Sequence, residues 1–190
     1  NRTNFQCTVQ WALADGKGLV RFDGITSGRY SVTVTNFGFQ GVSDYFSEPT
    51  IIEVLDSDIE LVEVRAKRGA TISGKAVIEG VTDPAVLAKL TELQMSAFSR
   101  PLTPGPSATP SFSSQFKLNR DGSFRVSGLQ SGKVQFSHFS GGRTPTGFTI
   151  ARVEVDGVPL RDGLEIVAGQ QVTNVRLVLV YGQAVVRGQV

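Results

Sequence analysis

Two fifteen-residue stretches of this chain are versions of one another. GLVRFDGITSGRYSV begins at Gly18 and GSFRVSGLQSGKVQF begins at Gly122. They are identical at Gly18/Gly122, Arg21/Arg125, Gly24/Gly128, Ser27/Ser131 and Gly28/Gly132, and they keep character at Phe22/Val126, Ile25/Leu129 and Arg29/Lys133. Glycines held in register mean backbone geometry held in register, because glycine adopts positive φ without steric cost. The repeat has a physical reading at each step. An Asx-Gly turn opens a strand with two inward apolar residues, and Gly24 or Gly128 ends that strand where the chain must bend. Ile25 or Leu129 then drops into the core, and Gly28 or Gly132 reverses the chain into the next strand. No acid, base or nucleophile holds a fixed place in the motif. Self-similarity over 190 residues predicts two small domains of one kind.

A second pair supports this. VEVRAKRGATISGKAV, ending at Val77, matches VRLVLVYGQAVVRGQV, ending at Val190, with a one-residue slip. In each, an apolar final strand runs through a short linker into a new strand bearing Gly-Lys or Gly-Gln. The predicted organisation is a first β-sandwich over 1–67, a complete second one over 68–181, and a strand at 182–190 that either opens a further repeat or exchanges between partners. The second copy has strands at 70–78 and 93–100 ahead of its Asx-Gly hairpin. The first copy has only Phe5–Leu13 there, so it lacks two strands. An unpaired sheet edge invites strand addition, and residues 184–190 are a candidate donor, from this chain or a neighbour. Asn1 is neither an initiator Met nor part of a signal peptide, so the chain reads as a processed product or an excised piece.

Period-two alternation is the dominant local signal. Tyr30, Val32 and Val34 alternate with hydroxyl residues, Val20 and Phe22 with Arg21 and Asp23, and Val153 and Val155 flank Glu154. Phe5, Cys7, Val9, Trp11 and Leu13 form the longest such run, which places Cys7 and Trp11 in the core. Asp15–Gly18, Asn119–Gly122, Asp156-Gly157 and Ala168-Gly169 supply hairpin chemistry. One short helix is predicted near 84–93. Asp83 is its N-cap, Pro84 its first residue, and Val86, Leu87 and Leu90 its apolar side. The four prolines of 101–110 mark an exposed loop.

The strings DGKGLVRFDGITSGRYSVTV and DGSFRVSGLQSGKVQFS resemble the carboxypeptidase regulatory-like domain, whose pattern is DG-x-F-x-F/I-x-G-L/I-x-x-G-x-Y-x-V. The pattern's Tyr is Tyr30 in the first copy and is replaced by Val134 in the second, and its first Phe is Val20 and then Phe124. The resemblance covers both copies. It implies an all-β chain of two tandem Greek-key β-sandwich domains of transthyretin-like type. It also implies a non-catalytic module, with a spacer, adhesion or protein-interaction role, within a larger secreted or cell-envelope protein of bacterial type. The zinc motif of the peptidase that gives the family its name is absent.

Composition narrows the chemistry. The net charge is +2 from 19 basic and 17 acidic residues. The largest basic cluster, Arg65, Lys67 and Arg68, is too small for a nucleic-acid footprint. No apolar run nears the ~18 residues of a membrane helix. One Cys and one His exclude a disulfide and an all-His/Cys zinc site within the chain. No cofactor, metal or catalytic residue is predicted. His138 lies between Phe136 and Phe139 and reads as structural. Asp56, Asp58 and Glu60 read as a solvated edge that also blunts strand addition, with calcium binding the lesser alternative. Phe37 and Phe46 read first as packing on the end of the sandwich; the candidate ligand or partner surface is Phe37, Phe39, Tyr45 and Phe46, in a Gly-interrupted segment where exposed aromatics could stack on a sugar or meet a protein. The expected partners are neighbouring domains of the same polypeptide, protein or glycan. The alternative function is a carbohydrate-binding module attached to a glycan-processing enzyme.

Overall fold

The computed structural model describes residues 10–34, 43–102, 112–138 and 145–182. The chain is all-β apart from one short helical connection. In chain order the elements are β1 (Gly28–Val32), β2 (Tyr45–Ser47), β3 (Thr50–Val54), β4 (Ala66–Arg68) and β5 (Ala70–Ile78). Then come α1 (Pro84–Ala88), β6 (Gln94–Arg100), β7 (Phe112–Lys117), β8 (Ser123–Leu129) and β9 (Gly132–His138). The series closes with β10 (Phe148–Val155), β11 (Val158–Leu160), β12 (Leu164–Ile166) and β13 (Gln171–Tyr181). Two compact units result, one from the described parts of residues 1–32 and 50–63, the other from those of 33–49 and 64–190.

The second unit is a β-sandwich. One sheet has the order β11-β10-β13-β5-β8 and the other β12-β9-β6-β7. Within these sheets β13 and β5 run parallel, and the remaining neighbours run antiparallel. Parallel neighbours cannot be joined by a tight hairpin, and here the whole sandwich intervenes between them. Strand alternation sets the core. Ile72 and Ala76 of β5, Val126 of β8, Met95 and Ala97 of β6, Val134 of β9, and Val175, Leu177 and Leu179 of β13 are buried together. Each fully buried aliphatic side chain contributes about 1.5–3 kcal/mol. Phe116, Phe124 and Phe136 bridge the two sheets, with ring centroids 5.1–6.2 Å apart.

The chain crosses between sheets through α1 and a 3-10 turn over Lys89–Glu92. The Asp83 carboxylate accepts a hydrogen bond from the Ala85 N–H, and Pro84 takes the first helical position. Val86, Leu90 and Leu93 join the core, whereas Leu87 is turned to solvent. The apolar side therefore runs 86, 90, 93 rather than 86, 87, 90, as a helix turning about 100° per residue requires.

The repeat recurs as backbone geometry. Asp15 N donates to Leu19 O, as Asn119 N does to Ser123 O; Gly18 N donates to Asp15 O, as Gly122 N does to Asn119 O. The φ values are +82° and +80° at Gly18 and Gly122, +69° and +72° at Gly24 and Gly128, and +159° and +150° at Gly28 and Gly132. Strand pairing repeats as well. In the first unit β1 pairs with β3 through Gly28↔Val54, Arg29↔Glu53 and Tyr30↔Ile52. In the second, β9 pairs with β12 through Gly132↔Ile166, Lys133↔Glu165 and Val134↔Leu164. Leu61 and Asn174, one residue before the matched Val62 and Val175, share φ values of +59° and +58°.

The two units nevertheless differ. Leu19–Ile25, the counterpart of β8, and Ile59–Val62, the counterpart of the centre of the second unit's larger sheet, form no strand. The described part of the Phe5–Leu13 run, Gln10–Leu13, is not a strand either, and Trp11 is 62% exposed. The expectation that Trp11 is core is therefore corrected: alternation creates an apolar face, but burial needs a second layer over it. Cys7 lies outside the described residues.

Candidate functional site

Of the four predicted surface aromatics, Phe37 and Phe39 lie outside the described residues. Tyr45 and Phe46 belong to β2, which pairs with β4 so that Tyr45 faces Arg68 and Phe46 faces Lys67. Tyr45 is 58% exposed and Phe46 is half-buried. The segment is held by its backbone against β8. Gly69 N donates to Asp44 O at 2.7 Å, the Ser127 hydroxyl to Ser43 O at 3.4 Å, and Arg125 Nη2 meets Asp44 Oδ1 at 3.2 Å. Gly128 makes this docking possible. A Cβ there would fall well inside 3.0 Å of Ser43 O, so any larger residue would push the segment off. Lys67 and Glu48 pair at 2.9 Å beside it. The result is a backbone-paired strand presenting one tyrosine ring beside charged side chains.

A larger polar feature covers the outer face of β10 and β13, where sequence reasoning placed nothing. Arg152 makes two hydrogen bonds of 2.8 Å to the Glu79 carboxylate and a third of 2.7 Å to Glu154, which Arg176 also reaches at 3.3 Å. Glu154 is buried. Val178, the cross-strand partner of Arg152, is fully buried although it faces away from the core. The Arg152 hydrogen bonds hold the Glu79 carboxyl below the ordinary glutamate value, against an opposing contribution from desolvation. The Arg152 guanidinium is pushed up in turn, by Glu79 first and Glu154 second. The signal in the sequence was the Arg-Val-Glu-Val alternation at 152–155, which puts Arg152 and Glu154 on one face; Glu79, 73 residues away, could come only from the fold.

Beside that face is a shallow depression of about 470 Å³, lined in part by Ser73, Lys75, Ser123, Asn174 and Arg176. It follows the irregularity in β13, where Asn174 takes its left-handed conformation and donates to Asp156 Oδ1 at 2.9 Å. The sole histidine, His138, ends β9 half-buried opposite Met95. No described carboxylate or hydroxyl is hydrogen-bonded to it. Asp56 meets the Ser27 hydroxyl at 3.4 Å. Among the described residues no three His, Cys, Asp or Glu side chains come together as metal ligands, and no helix is long and apolar enough to cross a membrane.

No protein-family model matches the chain, and no curated protein matches it in sequence. Among solved structures it is similar to the major pilin protein T-13 of Streptococcus pyogenes, at 16% identity over 85% of this chain and 68% of the pilin, with a TM-score of 0.28.

Proposed function

We propose that this chain is a non-catalytic structural or binding module of carboxypeptidase regulatory-like type, working by protein contact within a larger secreted or cell-envelope protein. Its repeating units are 1–67 and 68–181, and its contacts are to neighbouring domains and, through residues 184–190, to a strand acceptor. The observation that carries the reading is the repeat itself. Three glycine conformations and one strand pairing recur, while the chain's one histidine, His138, and one cysteine, Cys7, lie outside the recurring part. What is preserved between the copies is a way of building sheets, and a chain that duplicates sheet-building without chemistry serves as scaffold and contact surface.

Tyr45 favours one competing reading, a carbohydrate-binding module, because an exposed ring on a paired strand can stack on a sugar. A thermal-shift screen against a broad glycan panel separates the two. A glycan at ~100-fold excess over its Kd would stabilise the fold by about 2.7 kcal/mol. The contact-module reading expects no shift with any glycan. A shift that Tyr45→Ala abolishes would replace it with the carbohydrate reading.

A further inference from the structure

One row of residues crosses the outer face of the larger sheet from edge to edge. Pro159 of β11 pairs with Glu154 of β10, Glu154 with Arg176 of β13, Arg176 with Lys75 of β5, and Lys75 with Ser123 of β8. Strand alternation turns this row away from Val153, Val155, Leu177 and Ala76, which pack into the core. Charges of opposite sign alternate over most of the face. Glu79 holds Arg152, Arg152 holds Glu154, and Glu154 holds Arg176, at 2.7–3.3 Å. The next residue in the row is Lys75, and the alternation breaks there.

Arg176 and Lys75 are like charges facing one another on neighbouring strands, an arrangement that opposes pairing. The chain supplies no anion between them. All 17 of its Asp and Glu residues are among the described residues, and none of them forms an ion pair with Lys75. Asp121 feels the Lys75 charge, but less than it feels its hydrogen bonds from the Ser123 hydroxyl and N–H, which occupy its Oδ1. Among the linked groups, Arg152, Arg176 and Lys75 stand against Glu79 and Glu154. A single positive charge is left over, at the join between β13 and β5.

We propose that this join is a binding site for one carboxylate, carried by an acidic side chain of a partner protein. The inference rests on the contact-module reading and names the chemistry of its contact. The shallow depression of about 470 Å³ lies at the join, with Ser73, Lys75 and Arg176 in its lining. It follows the bulge at which Thr173 and Asn174 of β13 stand against Ser73 alone, and a bulge bends the strand that carries it. Lys75 and Arg176 offer a carboxylate charge-assisted hydrogen bonds, roughly twice as strong as neutral ones, and the Ser73 hydroxyl offers one more. Half-buried Val77 in the lining suits the methylene stem of a glutamate. One negative charge cancels the excess and completes the alternation across the five-stranded sheet. A protein side chain fits better than an acidic sugar, because the aromatic ring in the lining, Phe124, is 3% exposed and gives a sugar no face to stack on.

The test follows the Lys75 Nζ and Arg176 Nε resonances of the isotope-labelled full chain by NMR, in titrations at constant ionic strength. The probe is the peptide acetyl-Gly-Glu-Gly-amide. Its Gln counterpart and chloride are the controls, and glucuronate represents the glycan source. Both resonances are expected to shift saturably with the Glu peptide and with neither control. Lys75→Gln should weaken the Arg176 response at least about tenfold, and Ser73→Ala, a second variant, should weaken it by less. Lys75→Glu, which sets a carboxylate in the row beside Arg176, should abolish the response and raise the urea midpoint above that of Lys75→Gln. The proposal is overturned by a wild type without a saturable shift, by an equal shift with the Gln peptide, or by an undiminished response in Lys75→Gln. A Lys75→Glu midpoint at or below that of Lys75→Gln overturns it as well. Each of these results leaves the contact-module reading in place, whereas tighter binding of glucuronate than of the Glu peptide removes both.

Discussion

Gly122 offers a test of how closely β5 packs on the β7–β8 hairpin, because the same unit contains its control. Gly122 and Gly157 have φ values of +80° and +81°. Gly157 closes the β10–β11 hairpin, and a Cβ there would meet nothing within 4 Å; at Gly122 it would fall well inside 3.0 Å of the Ala76 carbonyl oxygen, which is backbone and cannot swing aside. Alanine at either site suffers the left-handed strain of an L-residue, about 1–2 kcal/mol. At either site it also restricts the unfolded chain by a similar amount, offsetting about 0.4–1 kcal/mol. Both effects cancel in the comparison. What remains for Gly122→Ala is overpacking, about 1–3 kcal/mol, together with strain on the Ala76 N–H to Gly122 O bond. Urea unfolding followed by far-UV circular dichroism reads the difference. With a slope of about 1–3 kcal/mol/M, the Gly122→Ala midpoint should lie roughly 1 M below that of Gly157→Ala, at unchanged slope. Fluorescence of Trp11, which belongs to the other unit, should show no matching shift. Two midpoints equivalent to within about 0.5 kcal/mol would mean that the Ala76 carbonyl does not press on Gly122.

Three further outcomes are expected. Leu177→Ala, at a fully buried position of β13, should cost about 2–5 kcal/mol in the same unfolding assay. Asp83→Ala removes the cap of α1 and should cost about 1 kcal/mol; a loss below a few tenths would show that the crossover is fixed by Val86, Leu90 and Leu93 alone. Glu79→Gln should lower the urea midpoint at pH 7. Arg152 holds the folded-state pKa of Glu79 below its unfolded value, so the charged carboxylate stabilises the fold above the ordinary glutamate range, about 4.3, and that contribution is lost as pH falls through the lowered value. The gap between wild type and variant should therefore narrow towards pH 3, and a gap independent of pH would refute the ion pair.

What could be read from the sequence was whatever a residue decides by itself or with near neighbours. The glycines at 18, 24 and 28 and at 122, 128 and 132 fix local dihedrals, and both sets adopt them. Asp83 followed by Pro84 fixes a helix start, and α1 begins there. The predicted strand over 70–78 forms with Ala70, Ile72, Ala76 and Ile78 buried on one side, and the predicted strand over 93–100 forms as Gln94–Arg100 with Met95 and Ala97 buried. Leu87 was misplaced because three apolar residues in five suggest a face that a short helix leaving into a 3-10 turn does not present. Tyr45 was legible as an exposed ring, but its mounting was not. That depends on Asp44 meeting Arg125, 81 positions away, and on a glycine at 128 whose partner lies across the sheet.

Strand formation is where local reading fails for a physical reason. Val20 and Phe22 alternate with polar residues as well as Phe124 and Val126 do, and the turn before them has the same hydrogen bonds. Only the second stretch is a strand. A helix closes its hydrogen bonds within one segment, whereas a strand's partners are always another segment's, so alternation records a capacity for pairing and says nothing of whether a partner is present. The same holds for burial, since Leu19 and Val20 have the apolar surface of core residues and lack a layer to bury it under. The contrast between the two copies is informative because the glycine dihedrals, the turn bonds and the β1–β3 register match those of the second copy. β8 has β5 beside it, whereas among the described residues no strand pairs with Leu19–Ile25, so a shared turn and shared glycine dihedrals do not by themselves make a strand.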